Sequence, residues 1–478
     1  MLTILLMELF ALVGLVKIAL PKGLEAALPF ATFMIVLAPT NAFLPVGIFG
    51  LTTQRLIVIT LTLFYFLSGG NKTDTAARTS TPLKVLIVIH VGWCLISTAD
   101  SIVPAASIKQ LFSMVFDYYL LYLIYLKTVT KVETIHKILM GLVLGVVAAS
   151  VFGAIEAYRG WSVMSLFPLG YLASTGGLMM GGERGLRIHS TYPHAILYGA
   201  GLVTAILLAL YLPSVMRKQR FLLWGGLLLM FLNLFKTMSR GPWLGAILGC
   251  LLLFLFARGG IHKRVVVIGI LAVATCIIRP GVWETLKNIY VATFDPTTVT
   301  GGSFEYRFKM QDAAVKRLLE NPRRAVWGYG LESFYEVHLE GNEGYSTGEF
   351  NSGDNAWVAL MVHTGFVGLL IFFLLLMKPA WVAWKQFRTF PAPDKYLALV
   401  LFVNLVVFYF EMYSVWLYGW GQNGYMLWTM IALIFAYPRC RELDAAREHF
   451  QEADFPKADP ETRFQTPWSE DDHPKVHA

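Results

Sequence analysis

The chain has 478 residues, of which 56% are hydrophobic and 15% charged, with a net charge of +8. A water-soluble fold of this size needs far more polar surface, so the composition excludes a soluble enzyme and points to an all-α polytopic membrane protein. Between Arg439 and Ala478 ten acidic residues stand against six basic ones, which leaves the remainder at +12; that surplus suits loops beside anionic lipid and gives no sign of nucleic acid as a partner.

Apolar stretches able to cover about 30 Å of hydrocarbon as helices recur from end to end. In chain order the spans are expected near 3–20, 25–39, 55–69, 83–99, 108–127, 135–155, 194–213, 221–236, 241–257, 264–279, 356–377, 395–413 and 422–437. Residues 1–20 lack a small-residue cleavage signal and read as a retained first helix. The stretch APTNAFLPVGIFG after the second span reads as a link or as a re-entrant turn, so the count is about 12–13 and the side of the N-terminus stays open. Cys94, Cys250, Cys276 and Cys440 are scattered, and suggest neither a disulfide framework nor a metal site.

Orientation follows from the short loops in which Lys and Arg collect. Lys127, Lys131 and Lys137, MRKQR at 216–220, ARGGIHKR at 257–264, the basic stretch at 378–388 and RCR at 439–441 fall on one side, the expected cytoplasm. A polytopic membrane domain is then expected over 1–438. Its outward parts are a loop over about 156–193, the SRG turn at Ser239–Gly241 and a loop over about 281–355. The acidic, Pro-containing stretch 439–478 is expected to be a disordered cytoplasmic tail.

Arginines on the outward side run against the charge rule, so each asks for a reason. They are Arg159, Arg184, Arg187, Arg240, Arg307, Arg317, Arg323 and Arg324, with Lys309 and Lys316 beside them. Arg240 is the most telling, because a tight turn between two apolar runs needs no cation. It reads as a phosphate clamp, for which a planar five-donor guanidinium is suited, or as a side chain snorkelling to lipid phosphate.

In the long loop Phe304, Phe308, Val315, Leu318 and Leu319 recur at helical spacing, which predicts an amphipathic helix at the membrane–water boundary. Arg307 is expected to open that helix, where orphan backbone N–H groups favour an anion. Beyond it Glu332, Glu336, Glu340, Glu343, Glu349 and Asp354 follow without a cation between them, most of them read as solvated charges. Asp354 differs, because it stands where the chain re-enters the membrane.

Trp161, Tyr171, Tyr192, Trp327, Tyr329, Tyr335, Tyr345 and Trp357 suit an interfacial belt or stacking on sugar rings. His194, at the mouth of a span, is a further base candidate, and His363 reads as a packed residue. No phosphate-binding Walker loop, HExxH or nucleophile elbow competes.

Four stretches then occur in order: RGLRIHSTYPHAILYGAGL at 184–202, SRGPWLG at 239–245, RFKMQDAAVKRLLENPRRAVWGYGLESF at 307–334, and DNAWVALMVHTGFVGLL at 354–370. Together they resemble the O-antigen ligase/polymerase superfamily, the WaaL- and Wzy-like bacterial membrane glycosyltransferases, over about 141–370. The resemblance implies a GT-C-like fold in the bacterial inner membrane, two large periplasmic loops and an active site facing the periplasm. It implies inverting transfer of a glycan from an undecaprenyl-diphosphate carrier to a glycan or lipid-linked acceptor, without cofactor or metal. A chain-length regulator is a possible partner. By motif position Arg187, Arg240 and Arg307 would hold the diphosphate, with His194, Asn355 and Tyr329 completing the substrate site.

Ligases of the family carry a His-Asn pair where this chain has Asp354-Asn355. The departure favours an exopolysaccharide or O-antigen polymerase with Asp354 as base, over a ligase acting on lipid A-core. A flippase or exporter of lipid-linked sugars, without chemistry, is the third reading.

Overall fold

A computed structural model describes all residues except 47–48, 69–80, 169–173, 181–184, 296–298, 342–348, 351–352 and 455–478. Arg184, Tyr171, Glu343 and Tyr345 therefore lie outside the described residues. The chain is 78% helical. In order the long helices are α1 (Leu2–Lys22), α2 (Leu24–Leu37), α3 (Thr53–Leu67), α4 (Lys84–Ala99), α5 (Pro104–Ser113), α6 (Leu121–Thr128), α7 (Val132–Arg159) and α8 (Ala195–Tyr211). They continue as α9 (Arg220–Lys236), α10 (Arg240–Phe256), α11 (Gly260–Ile278), α12 (Pro280–Phe294), α13 (Val299–Leu319), α14 (Pro322–Trp327), α15 (Ala356–Thr389), α16 (Lys395–Glu411) and α17 (Asn423–Asp454).

Every expected span coincides with helix, and the chain is an all-α membrane protein. By length and composition α1, α7, α11, α15 and Ala195–Ser214 can cross a membrane unaided, and α2, α3, α4 and α10 are shorter apolar helices. Their burial differs widely. The α8 window is 94% buried and runs through the middle of the bundle, whereas that of α11 is 11% buried and leaves its apolar side chains outward. Without water, helices satisfy their own backbone polar groups, so such exposure costs nothing in lipid.

Three local outcomes differ from the pattern reading. The stretch after α2 is an antiparallel hairpin, β1 (Phe43–Val46) with β2 (Phe49–Thr52), in register Phe43↔Thr52. The fifth expected span is α5 and α6 joined by a π-helical segment, Met114–Leu120, which re-aims Asp117 into the bundle, where it is 5% exposed. The tail expected to be disordered from 439 begins as helix, because α17 runs on to Asp454. Residues 439–454 stay ordered through bonds to neighbouring loops: Arg439 Nη2 donates to the Leu126 and Val129 carbonyls, and Asp444 accepts from Val132 N–H.

α15 is kinked. Gly365 has φ 70°, which only glycine adopts cheaply, and a Cβ there would strike the Val326 carbonyl. α14 thus docks on the bend, and Tyr329 N–H and Gly330 N–H donate to the Val362 and His363 carbonyls. A second, smaller core forms beside this bend from Met310, Ala314 and Leu318 of α13 with Phe334, Val337, Leu339 and Phe350. It fixes the long loop over the start of α15.

Candidate active site

The SRG turn is short and pinned on both sides. Met238 takes a left-handed conformation (φ 48°), and α10 starts at Arg240. The Phe235 and Trp243 rings stack across the turn with centroids 5.6 Å apart, and Trp243 Nε1 donates to the Leu234 carbonyl. Gly241 lies against Ser414, so that a Cβ would strike its hydroxyl. Arg240 is thereby held at the start of a helix, where free N–H groups and the helix dipole favour an anion.

Arg187 arrives from the first large loop. Its Nη2 donates to Ser239 Oγ at 2.9 Å and its Nε to the Thr237 carbonyl at 3.3 Å, beside Arg240. The loop that delivers it is anchored from beneath. Buried Glu156 accepts from His189 N–H and from Ser190 N–H, and the His189 ring engages the Tyr192 and Gly177 carbonyls.

Arg307 comes from α13 and is 9% exposed. Its Nη2 donates to the Ser414 carbonyl at 3.0 Å and lies 3.5 Å from Asp354 Oδ2, while its Nε donates to the Asp354 carbonyl at 3.3 Å. Ser414 therefore lies against Gly241 with its hydroxyl and accepts from Arg307 through its carbonyl, so the turn that carries Arg240 and receives Arg187 abuts the loop that receives Arg307.

Arg307 does not open its helix as expected. α13 begins at Val299, two turns earlier, and the buried stripe is Arg307, Met310, Ala314 and Leu318. Phe308 and Leu319 point outward at 52% and 62% exposure. Packing on the small second core selects this stripe over the more apolar-looking one. Lys309, Lys316 and Arg317 make local pairs with Glu305, Asp312 and Glu320 and take no part in the cluster. Arg323 and Arg324 pair with Asp100, whose Oδ2 also accepts from Trp327 Nε1.

The remaining sequence candidates divide. His194 caps α8, its Nδ1 accepting from Ile196 N–H at 3.1 Å. Burial, and then the nearby Arg187 charge, pull its imidazole well below the usual range, with Arg307 adding to the effect. It belongs to the cluster as a neutral ring. Asp354 also belongs to it, with its carboxylate directed to Arg307. Asn355 is a helix cap instead, buried, with Oδ1 accepting from the N–H groups of Trp357 and Val358. Tyr329 lies elsewhere. Its hydroxyl donates to the Arg317 carbonyl, and Arg324 sits 5.0 Å over its ring.

The pattern reading missed residues 412–422 altogether. This loop between α16 and α17 carries Tyr413, Trp416, Tyr418 and Trp420. Four aromatics in eleven residues between two spans was the available signal. Its end is tied to two distant segments: Gln422 Nε2 donates to the Ala38 and Thr191 carbonyls. At its start, the Met412 carbonyl accepts from Ala356 N–H.

Two cavities share Gly419 and Trp420 of this loop as a common wall. The first, of about 290 Å³, is lined by Phe43, Gly50, Lys109, Tyr118, Tyr425 and the Arg55–Asp117 pair. Arg55 grips that aspartate through Nη2 at 2.9 Å and Nε at 3.1 Å. The second, of about 260 Å³, is lined by Glu332, Phe334, Tyr335, Gly353, Ala359, His363 and Trp416. Both adjoin the arginine cluster, through the His194 ring 5.7 Å from Trp420 and through Gly353 next to Asp354. Among the described residues no group of three or more His, Cys, Asp or Glu is placed to hold a metal ion.

The helical bundle thus carries at one end arginines bonded to the SRG turn and to Ser414, beside aromatic-walled cavities. Residues 225–373 match the family model described as O-antigen ligase (Wzy_C), a match that supports the O-antigen ligase/polymerase superfamily. The match takes in Arg240, Arg307, Glu332, Asp354 and His363; Arg187, His194 and the 412–422 loop lie outside it. No curated protein matches the chain.

Proposed function

We propose that this ligase/polymerase-type enzyme polymerises undecaprenyl-diphosphate-linked oligosaccharide units on the periplasmic face of the bacterial inner membrane, with its C-terminus in the cytoplasm. The observation that carries the reading is the contact between the SRG turn, which carries Arg240 and receives Arg187, and Ser414, which receives Arg307. One arginine at a helix start with two more bonded to the adjoining turn and loop suits a diphosphate, which carries its negative charge on closely spaced oxygens. Neutralising that charge makes the diphosphate a better leaving group, at a few kcal/mol per well-placed donor. Asp354 orients Arg307, and the carrier's prenyl chain lies between helices in the lipid.

An acceptor hydroxyl attacks the anomeric carbon from the face opposite the diphosphate, which inverts its configuration. The reading as a polymerase, in preference to a ligase, rests on Asp354-Asn355 standing where ligases of the family have His-Asn, and an exopolysaccharide or O-antigen is the expected product. Replacing Arg240 by Ala in cells tests the reading. Loss of surface and secreted polymer, with single carrier-linked units accumulating outside, is the expected result. Unchanged polymer length and yield sinks the clamp, and accumulation of those units inside points to a flippase.

A further inference from the structure

We propose that the cavity walled by Glu332, Tyr335, His363, Trp416 and Trp420 seats the acceptor sugar, and that the Glu332 carboxylate takes the proton of its attacking hydroxyl. The inference rests on the glycosyl-transfer reading above and moves the role of base from Asp354, the sequence candidate, which is engaged with Arg307, to Glu332.

Four observations support it. The volume, about 260 Å³, lies near the ~300 Å³ lower end of ordinary small-molecule sites and suits a saccharide unit better than a lipid chain. Its walls combine two indoles and a phenol, whose flat apolar faces match the C–H face of a pyranose, with polar groups to meet hydroxyls. His363 is 4% exposed, and among the described residues neither of its ring nitrogens has a hydrogen-bond partner. A buried imidazole lining a cavity with neither nitrogen engaged is costly unless a ligand engages it.

Glu332 itself is the fourth. It holds φ 61°, a left-handed conformation that is strained for a non-glycine residue. The surrounding structure imposes it: Ser107 Oγ donates to the Leu331 carbonyl at 2.6 Å, and Ser333 N–H bonds back to Gly330. Strain of this kind aims a side chain that a relaxed backbone would not.

The charged and titratable groups that face Glu332 are Lys109 of α5, Tyr118 of the π segment and Tyr335 of its own loop, with His363 of α15 across the cavity. Burial lifts the Glu332 carboxyl above its ordinary range, with Lys109 opposing. A carboxylate of raised proton affinity is a better general base than an ordinary one. Asp354, engaged with Arg307 at the cavity's edge, then connects the acceptor to the diphosphate end.

In the step, the acceptor oxygen forms a bond to the donor's anomeric carbon, and the bond from that carbon to the phosphate oxygen breaks. The bonding pair leaves on the diphosphate, and the hydroxyl proton moves to a Glu332 carboxylate oxygen. The products are the glycosidic linkage and undecaprenyl diphosphate, with no other reactant required.

The test uses full-length protein in lipid nanodiscs, with an undecaprenyl-diphosphate-linked repeat unit as both donor and acceptor. Transfer is read by gel and carrier binding by native mass spectrometry with undecaprenyl diphosphate. Glu332→Gln should reduce transfer about 100-fold or more while leaving carrier binding within about twofold. Glu332→Asp should retain part of the activity, and the wild-type fall in rate on the acid side should vanish from the residual Glu332→Gln activity. His363→Phe should raise the acceptor KM about 10-fold with little change in kcat.

A Glu332→Gln enzyme that transfers normally while Arg240→Ala is dead overturns the inference and leaves the transfer reading standing. Normal transfer by both variants overturns both. Loss of carrier binding or of the thermal transition in Glu332→Gln and Glu332→Asp alike makes Glu332 a structural residue and also overturns the proposal.

Discussion

The two ends of the helix bundle both collect arginines, and they use them differently. At the end where α6 meets α17, each cation serves a neighbouring loop. Arg439 closes the last carbonyls of α6, Arg441 Nε pairs with Asp394 at 2.6 Å, Arg447 pairs with Asp444, and Arg264 bonds Ser214 Oγ and the Leu210 carbonyl. Carboxylates work there in the same way, with Glu25 receiving the N–H of Thr130 and Lys131. Charge at that end seals helix termini.

At the other end Arg187 from a loop and Arg307 from α13 bond to Ser239 and Ser414, on the turn that carries Arg240 and on the loop that abuts it. A cation that only closes a helix end needs a local partner. Cations brought from afar to adjoining segments concentrate positive charge, which is what the proposed diphosphate site requires.

The largest expected break in this comparison is Arg307→Ala, which should lower transfer about 100-fold or more at unchanged protein yield, measured on carrier-linked repeat units in vitro. A loss below tenfold would place Arg307 with the sealing arginines. Arg439→Ala should do the reverse, costing roughly 1–3 kcal/mol of stability through its unmet carbonyls, seen as a lowered thermal midpoint, with activity per folded molecule retained. Asn355→Ala should lower the midpoint by less, because a lost helix cap costs about 1 kcal/mol; a larger loss of transfer than of stability would return it to the substrate site. Smallest of all, Lys316→Ala on the exposed face of α13 should leave transfer within about twofold and stability within ~0.5 kcal/mol.

The spans were legible because lipid imposes a length and a composition that a sequence cannot disguise. The arginine cluster was legible as a set, since alternating spans put all three residues on one side. Its construction was not. The stripe that α13 buries was decided by the second core, to which Phe334, Val337, Leu339 and Phe350 contribute and which could not be weighed from the helix alone. Asn355, directly before an apolar run, carried an ordinary N-cap signal that the functional reading overrode. Glu332 looked like one of five solvated glutamates. Only a backbone conformation set by Ser107, far away in sequence, turns it into a cavity wall.

Ser414 and Trp420 stand six residues apart on one strap of chain. The first fixes Arg307 where a departing diphosphate would sit, and the second closes the chamber where an incoming hydroxyl would wait. The strap therefore acts as a gauge between leaving group and nucleophile. Lengthening it by a single residue between them would spoil the alignment of the two substrates while leaving each seat able to hold its own.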